Sequence, residues 1–114
     1  MIAIIKYNAG NIKSVENALQ RLGYQSIVTD NQDLIKRAEK VILPGVGEAG
    51  SAMKYLKTKN LIQLIKSLKQ PVLGICLGQQ LLCKHSMESN CDCIGVFDSI
   101  VKKLPPLDIV PHIG

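Results

Sequence analysis

"Pro71-Val72-Leu73-Gly74-Ile75-Cys76-Leu77-Gly78-Gln79-Gln80-Leu81-Leu82": in this stretch a short apolar run meets a helix-like pattern, and the residue between them is a cysteine. The run predicts a strand over residues 72–75, and the pattern after Cys76 predicts a helix. At a sharp strand-to-helix turn, small residues on both sides allow the strand and the helix to approach each other. Gly74 and Gly78 therefore favour Cys76 as an exposed nucleophile. A buried structural cysteine in a helical first turn is the alternative.

A second loop strengthens the chemical interpretation. A helix that starts after Cys76 would favour a thiolate, and the N–H of Leu77 could stabilise an oxyanion. A thioester intermediate needs two such donors, and Pro44-Gly45-Val46-Gly47 follows another predicted strand with the same orientation. A backbone N–H group of this loop could supply the second donor. Taken alone, the loop is better explained as an ordinary glycine-rich turn.

The rest of the chain predicts alternating strands and helices. Strands are predicted at residues 1–5, 26–29 and 41–43, and a hairpin or extended arm at residues 94–104. Helices are predicted from the stripe Ile12, Val15, Leu19 and Leu22 before Gly23, at residues 34–39, from the stripe Leu61, Leu64, Ile65 and Leu68, and from Cys76 to about His85. This alternation predicts an α/β fold in three layers, a doubly wound and mostly parallel sheet with helices on both faces.

Composition narrows the functional classes. The chain has 114 residues, 46% of them hydrophobic, which fits one domain with a modest core. The net charge is 14 − 9 = +5, but the lysines are dispersed and only 4% of residues are aromatic, so no nucleic-acid partner is expected. No apolar run has transmembrane length, and the N-terminal apolar run is too short for a signal peptide. We therefore expect no membrane association.

The four cysteines, Cys76, Cys83, Cys91 and Cys93, are expected to be reduced thiols in a cytoplasmic protein. Three of them lie close to His85 in sequence, but no paired C-x-x-C spacing is present, so we expect no metal site.

Four segments together resemble the class I glutamine amidotransferases. They are Tyr7-Asn8-Ala9-Gly10-Asn11, Leu43-Pro44-Gly45-Val46-Gly47, the elbow from Gly74 to Leu82, and Val110-Pro111-His112-Ile113-Gly114. The elbow is typical of the wider family. The Pro-Gly-Val-Gly loop and the Pro-His segment are similar to those of the glutaminase subunits of imidazole glycerol phosphate synthase, and the resemblance covers essentially the whole chain.

The resemblance implies a function. Cys76 would attack the side-chain amide of glutamine, Gln80 would contact the bound glutamine, and Leu77 with Val46 or Gly47 would supply the oxyanion donors. Ammonia would pass to a (β/α)8-barrel cyclase subunit, the partner in a heterodimer of histidine biosynthesis. Asn11 and His112 would face this partner. No cofactor is implied.

The resemblance also implies that residues 1–114 form part of an amidotransferase domain, because the family's catalytic histidine and acidic residue come from a C-terminal region without a counterpart here. His85, placed more than two helical turns beyond Cys76, is not expected to act as the base. We therefore expect negligible glutaminase activity from this chain alone, and an apolar face or sheet edge left exposed.

Three other interpretations stay open at this stage. The first is an amidotransferase subunit for another acceptor, such as a sugar nucleotide. The second is a degenerate subunit that binds a barrel partner without hydrolysing glutamine. The third is an unrelated flavodoxin-like binding module.

Overall fold

A parallel sheet of four strands forms the centre of the computed structural model, which describes residues 1–8, 12–87, 91–96 and 100–101. The strands of this sheet are β1 (Ile2–Ile5), β2 (Ser26–Thr29), β3 (Lys40–Leu43) and β4 (Val72–Gly74). The helices are α1 (Ile12–Arg21), α2 (Gln32–Arg37), α3 (Ala49–Thr58), α4 (Leu61–Ser67) and α5 (Leu77–Leu82). Three strands of two residues each follow, β5 (His85–Ser86), β6 (Cys91–Asp92) and β7 (Ile100–Val101).

The order of the strands in the large sheet is β2-β1-β3-β4, and each neighbouring pair is parallel. β1 is a run of apolar residues, and β3 is one after Lys40, as expected for strands covered on both faces. All four predicted strands are confirmed to within one residue at each end. The predicted α/β fold is confirmed as well.

Helices cover both faces of this sheet because the chain winds in two directions. From β1 the chain moves outward to β2, and from β2 it returns past β1 to β3 and β4. Since such crossovers are right-handed, α1 lies on the face opposite to α2, α3 and α4. On the face covered by α2, α3 and α4, every second residue of the strands points into the core. These residues include Ala3, Ile5, Val41 and Leu43, which are all buried.

The face of the sheet covered by α1 is more exposed to solvent than the opposite face. The stripe of apolar residues predicted the helix correctly, but no residue of α1 is fully buried. Leu22 lies beyond the helix end and is 71% exposed, while Leu73 on β4 is 57% exposed. Gly23 follows in a left-handed conformation (φ 84°), so its predicted role as a stop signal is confirmed.

Helix α3 was not predicted. Its inward stripe is Ala49, Ala52, Met53 and Leu56, all buried, and two of these four side chains are single methyl groups. The Glu48 side chain caps its first turn by accepting from the N–H groups of Gly50 (2.9 Å) and Ser51 (3.2 Å).

The elbow helix is shorter than predicted. It ends at Leu82, so the placement of His85 in this helix was wrong, and His85 lies in β5. The reason is a non-local cap, since the N–H of Ile94 donates to the Leu81 carbonyl (2.8 Å) and that of Gly95 to the Cys83 carbonyl (2.9 Å). Ile94 is buried in the core.

The small sheet has the order β6-β5-β7, with β5 antiparallel to β6 and parallel to β7. β7 falls within the predicted extended arm of residues 94–104, most of which lies outside the described residues.

Candidate active site

Two loops lie side by side at the carboxyl edge of the large sheet. β3 leads into residues 44–47, and β4 ends at Gly74, two residues before Cys76. β3 and β4 are neighbours, with Leu43 opposite Gly74. Ligands of open α/β sheets bind beyond the carboxyl ends of the strands. The structure therefore brings the predicted nucleophile and the predicted glycine-rich loop to the same edge.

Cys76 has a backbone conformation that side-chain-bearing residues rarely adopt. Its φ is 52° and its ψ is −116°, and its thiol is exposed. Such a conformation costs on the order of 1–3 kcal/mol and persists only where the surrounding structure imposes it. A strained, exposed cysteine fits a nucleophile elbow better than it fits a buried structural thiol.

The two glycines of the elbow are required by contact. A Cβ on Gly74 would lie 2.8 Å from the Cα and the N of Gln79. A Cβ on Gly78 would overlap the carbonyl of Leu43 and lie 3.1 Å from the carbonyl oxygen of Pro44. The obstructing atoms are mainly backbone, so they cannot move aside cheaply. The close approach of strand and helix predicted from the sequence is thus present.

The first turn of α5 is already hydrogen-bonded. The N–H of Leu77, the predicted oxyanion donor, donates to the Gly45 carbonyl (2.9 Å), and that of Gly78 donates to the Ile75 carbonyl (2.9 Å). A substrate oxygen can use the Leu77 N–H only after the Gly45 carbonyl has turned away. Gly45 (φ 134°) and Gly47 (φ 129°) have the conformational freedom for that movement.

The other predicted substrate contacts lie on the loop after β3 and on α5. Val46 is 46% exposed and Gly47 is exposed, so the tip of the loop faces solvent. Gln80 is half-buried and lies in α5, four residues after Cys76. Its N–H donates to the Cys76 carbonyl (3.3 Å).

Two residues that follow β1 make hydrogen bonds to the segment containing the glycine-rich loop. The buried Tyr7 donates its hydroxyl hydrogen to the carbonyl of Pro44. The neighbouring Asn8 donates its side-chain N–H to the carbonyl of Ser51 (3.3 Å). The segment from Pro44 to Ser51 is thus attached to β1 near both of its ends.

Comparisons with known proteins agree with this geometry. The family model for glutamine amidotransferase class-I matches residues 3–103. The chain belongs to the class I glutamine amidotransferase family. A solved structure titled as a crystal structure of glutamine amidotransferase superposes with a TM-score of 0.75 over 87% of this chain and 54% of that one, at 18% identity, and shares its fold.

Curated amidotransferase relatives are much closer in sequence. The imidazole glycerol phosphate synthase subunit HisH of Bacteroides thetaiotaomicron is 53% identical over 99% of this chain. The proteins of the same name from Idiomarina loihiensis and Pasteurella multocida are 43% and 46% identical, each over 99% of this chain. The chain spans 59%, 58% and 58% of the length of these three relatives.

The His85 side chain pairs with a residue of the neighbouring strand rather than with Cys76. Its Nδ1 lies 2.9 Å from Oδ1 of Asp92, the residue opposite it on β6. The predicted position in a helix was wrong, and the expectation that His85 does not act as the base stays a prediction. The predicted partner-facing residues Asn11 and His112 lie outside the described residues, as does the Pro-His segment.

The other three cysteines form a separate group. All four cysteines are free thiols, and no cluster of three or more metal-ligating side chains occurs in the described part of the chain. Burial, with smaller effects of Cys91, Cys83 and Asp92, raises the pKa of Cys93 to about 12. Cys93 is thus held as a neutral thiol. No helix among the described residues is long and apolar enough to cross a membrane.

Two features of the site were not predicted. No contact was predicted for Tyr7, although an aromatic residue two positions after a buried strand could have indicated a contact with the next loop. The pairing of the Leu77 N–H with Gly45 could not be anticipated, because it depends on the peptide orientation of a glycine that is free to turn either way.

Proposed function

We propose that this chain carries the nucleophile of a glutaminase subunit of imidazole glycerol phosphate synthase. The observation that carries the proposal is the exposed, strained Cys76 at the end of β4, beside the glycine-rich loop after β3. The name and the 53% identity of relatives that match 99% of the chain support the assignment to this enzyme.

The reaction has two steps. The thiolate of Cys76 attacks the side-chain amide carbon of glutamine, the carbon–nitrogen bond breaks, and ammonia leaves with the proton released by the thiol. Water then hydrolyses the glutamyl thioester to glutamate. Each step passes through an oxyanion, for which Leu77 and Val46 or Gly47 would supply N–H groups once the Gly45 carbonyl has turned away. Gln80 would hold the substrate.

A proton carrier is also required. General acid–base assistance is worth about 10²–10⁴-fold in rate. Of the two histidines in the sequence, His85 is paired with Asp92, and His112 lies outside the described residues. We therefore propose that the proton is carried by a group other than His85.

The use of the ammonia is the second part of the proposal. A (β/α)8-barrel cyclase subunit would receive it and use it in histidine biosynthesis, with Asn11 and His112 at the interface. The shared name of the relatives supports this acceptor over a sugar nucleotide. The free state of all four cysteines supports a cytoplasmic location.

The test is alkylation of Cys76 in the polypeptide as it is naturally produced. The probe is the chloroketone analogue of L-glutamine, with the D enantiomer and iodoacetamide for comparison. We expect rapid labelling of Cys76 by the L form only, lost in Cys76→Ser and retained in Cys83→Ser. Equal rates with both enantiomers would contradict a glutamine site.

The acceptor is tested separately. Ammonia release from glutamine should rise when a barrel cyclase is added, and imidazole glycerol phosphate should form. Binding of the cyclase without ammonia release from glutamine, and without labelling by the L-chloroketone, would favour the degenerate, partner-binding subunit instead.

A further inference from the structure

Tyr7 makes a buried hydrogen bond to the start of the glycine-rich loop. It is 4% exposed, lies two residues beyond the end of β1, and donates to the carbonyl of Pro44. Pro44 is itself fully buried. Burial raises the pKa of Tyr7 well above its ordinary value, so the hydroxyl keeps its proton and acts as a donor at any physiological pH.

The Pro44 carbonyl lies between a residue with a restricted backbone and glycines with a freely rotating one. The ring of Pro44 fixes its own φ, whereas Gly45 and Gly47, directly after it, have positive φ values. The same carbonyl oxygen lies 3.1 Å from the point that a Cβ on Gly78 would occupy. The Tyr7 hydroxyl therefore joins β1, the start of the loop and the elbow helix at one buried point.

Asn8 supports this attachment at the other end of the loop. Its side chain donates to the carbonyl of Ser51, in the first turn of α3. The two contacts confine conformational change to the residues between them, which include both glycines with positive φ. A loop held in this way can turn one peptide without shifting the rest of its backbone.

We propose that Tyr7 is a positioning residue for the thioester chemistry: its hydroxyl fixes Pro44 so that residues 45–47 present their N–H groups to the substrate oxygen beside Cys76. This inference rests on the proposed glutaminase function. Tyr7 acts through the loop and does not touch the reacting atoms.

The test compares Tyr7→Phe with Tyr55→Phe, which removes the same atom from a half-buried tyrosine on α3 that packs against the core. The second-order rate constant of Cys76 alkylation is measured in the natural polypeptide with the L-glutamine chloroketone and with iodoacetamide. The chloroketone is held through its carbonyl oxygen, whereas iodoacetamide reports only the reactivity of the thiol.

We expect Tyr7→Phe to slow the chloroketone about tenfold, the effect of one lost buried hydrogen bond, and to leave the rate with iodoacetamide unchanged. Tyr55→Phe should change neither rate. An unchanged chloroketone rate, or an equal loss with both reagents, would overturn the role of Tyr7. Failure of the unsubstituted protein to distinguish the L from the D chloroketone would instead overturn the proposed function.

A second measurement covers the case in which Tyr7→Phe does not fold. Difluorotyrosine is incorporated at position 7 alone, by suppression of a stop codon placed at that position. Its more acidic phenol ionises at a lower pH and then cannot donate to Pro44. We expect selectivity for the chloroketone to fall as that phenol ionises. Selectivity that stays constant through the ionisation would refute the proposal.

Discussion

Gly78 lies directly against the carbonyl of Leu43, and a Cβ on residue 78 would overlap the carbonyl oxygen. This contact packs the start of α5 onto the end of β3, and it brings the elbow beside the glycine-rich loop. It explains in physical terms why the second small residue of the elbow has to be glycine.

Gly78→Ala should therefore destabilise the protein. The added methyl group meets backbone atoms, so strand and helix must separate, and we expect the free energy of unfolding to fall by about 2–3 kcal/mol. Urea denaturation monitored by circular dichroism measures the change. Gln79→Ala, at the exposed next position of the same helix, is the control and should have little effect. Equal stabilities for the two variants would contradict the close approach of helix and strand.

The strained backbone of Cys76 predicts that replacement by glycine stabilises the protein while it abolishes the chemistry of the thiol. Glycine adopts a φ of 52° without strain, so Cys76→Gly should raise the free energy of unfolding by about 1 kcal/mol relative to Cys76→Ala. Both variants should lose all labelling by the glutamine chloroketone. Thermal and urea denaturation give the comparison, and an alanine variant as stable as the glycine variant would show that residue 76 is not strained.

Much of the fold could be predicted because its strands are short apolar runs and three of its helices have clear apolar stripes. The elbow was also visible, since a cysteine between Gly74 and Gly78 has a steric reason to be there. Helix α3 escaped prediction because alanines such as Ala49 and Ala52 give little periodic signal. Its cap, Glu48, is not a typical N-cap residue.

Features fixed by distant residues could not be read from the sequence. The C-terminal end of α5 is determined by N–H groups of Ile94 and Gly95, which approach from beyond β6. For the same reason the sequence placed His85 in a helix. The contact from Tyr7 to Pro44 spans 37 residues, and only the order of the strands brings these two together.

His85 and Asp92 form an exposed pair that we expect to be irrelevant to the chemistry of Cys76. Their side chains are 28% and 91% exposed, and exposed ion pairs contribute little to stability. His85→Ala and Asp92→Ala should leave the rate of Cys76 alkylation by the glutamine chloroketone unchanged. A loss of rate in His85→Ala, with iodoacetamide labelling intact, would make His85 part of the site.

Cys93 should give the protein a stability that decreases at alkaline pH. Its pKa is raised to about 12, mainly by burial, whereas a thiol in the unfolded chain has a pKa of about 8.5. Between these values the native state retains a proton that the unfolded state has released, so the free energy of unfolding falls as pH rises. The contribution of Cys93 to stability is complete below about pH 8.5, and it is lost as the pH rises to the pKa of the native thiol.

The difference between two proteins isolates this contribution, because tyrosines and lysines also titrate in the alkaline range. The free energy of unfolding is measured in urea from about pH 7 to about pH 11 under reducing conditions for the unsubstituted protein and for Cys93→Ala. We expect the variant to lose less stability over this range. Parallel curves for the unsubstituted protein and Cys93→Ala would mean that the Cys93 thiol ionises as readily in the folded chain as in the unfolded one.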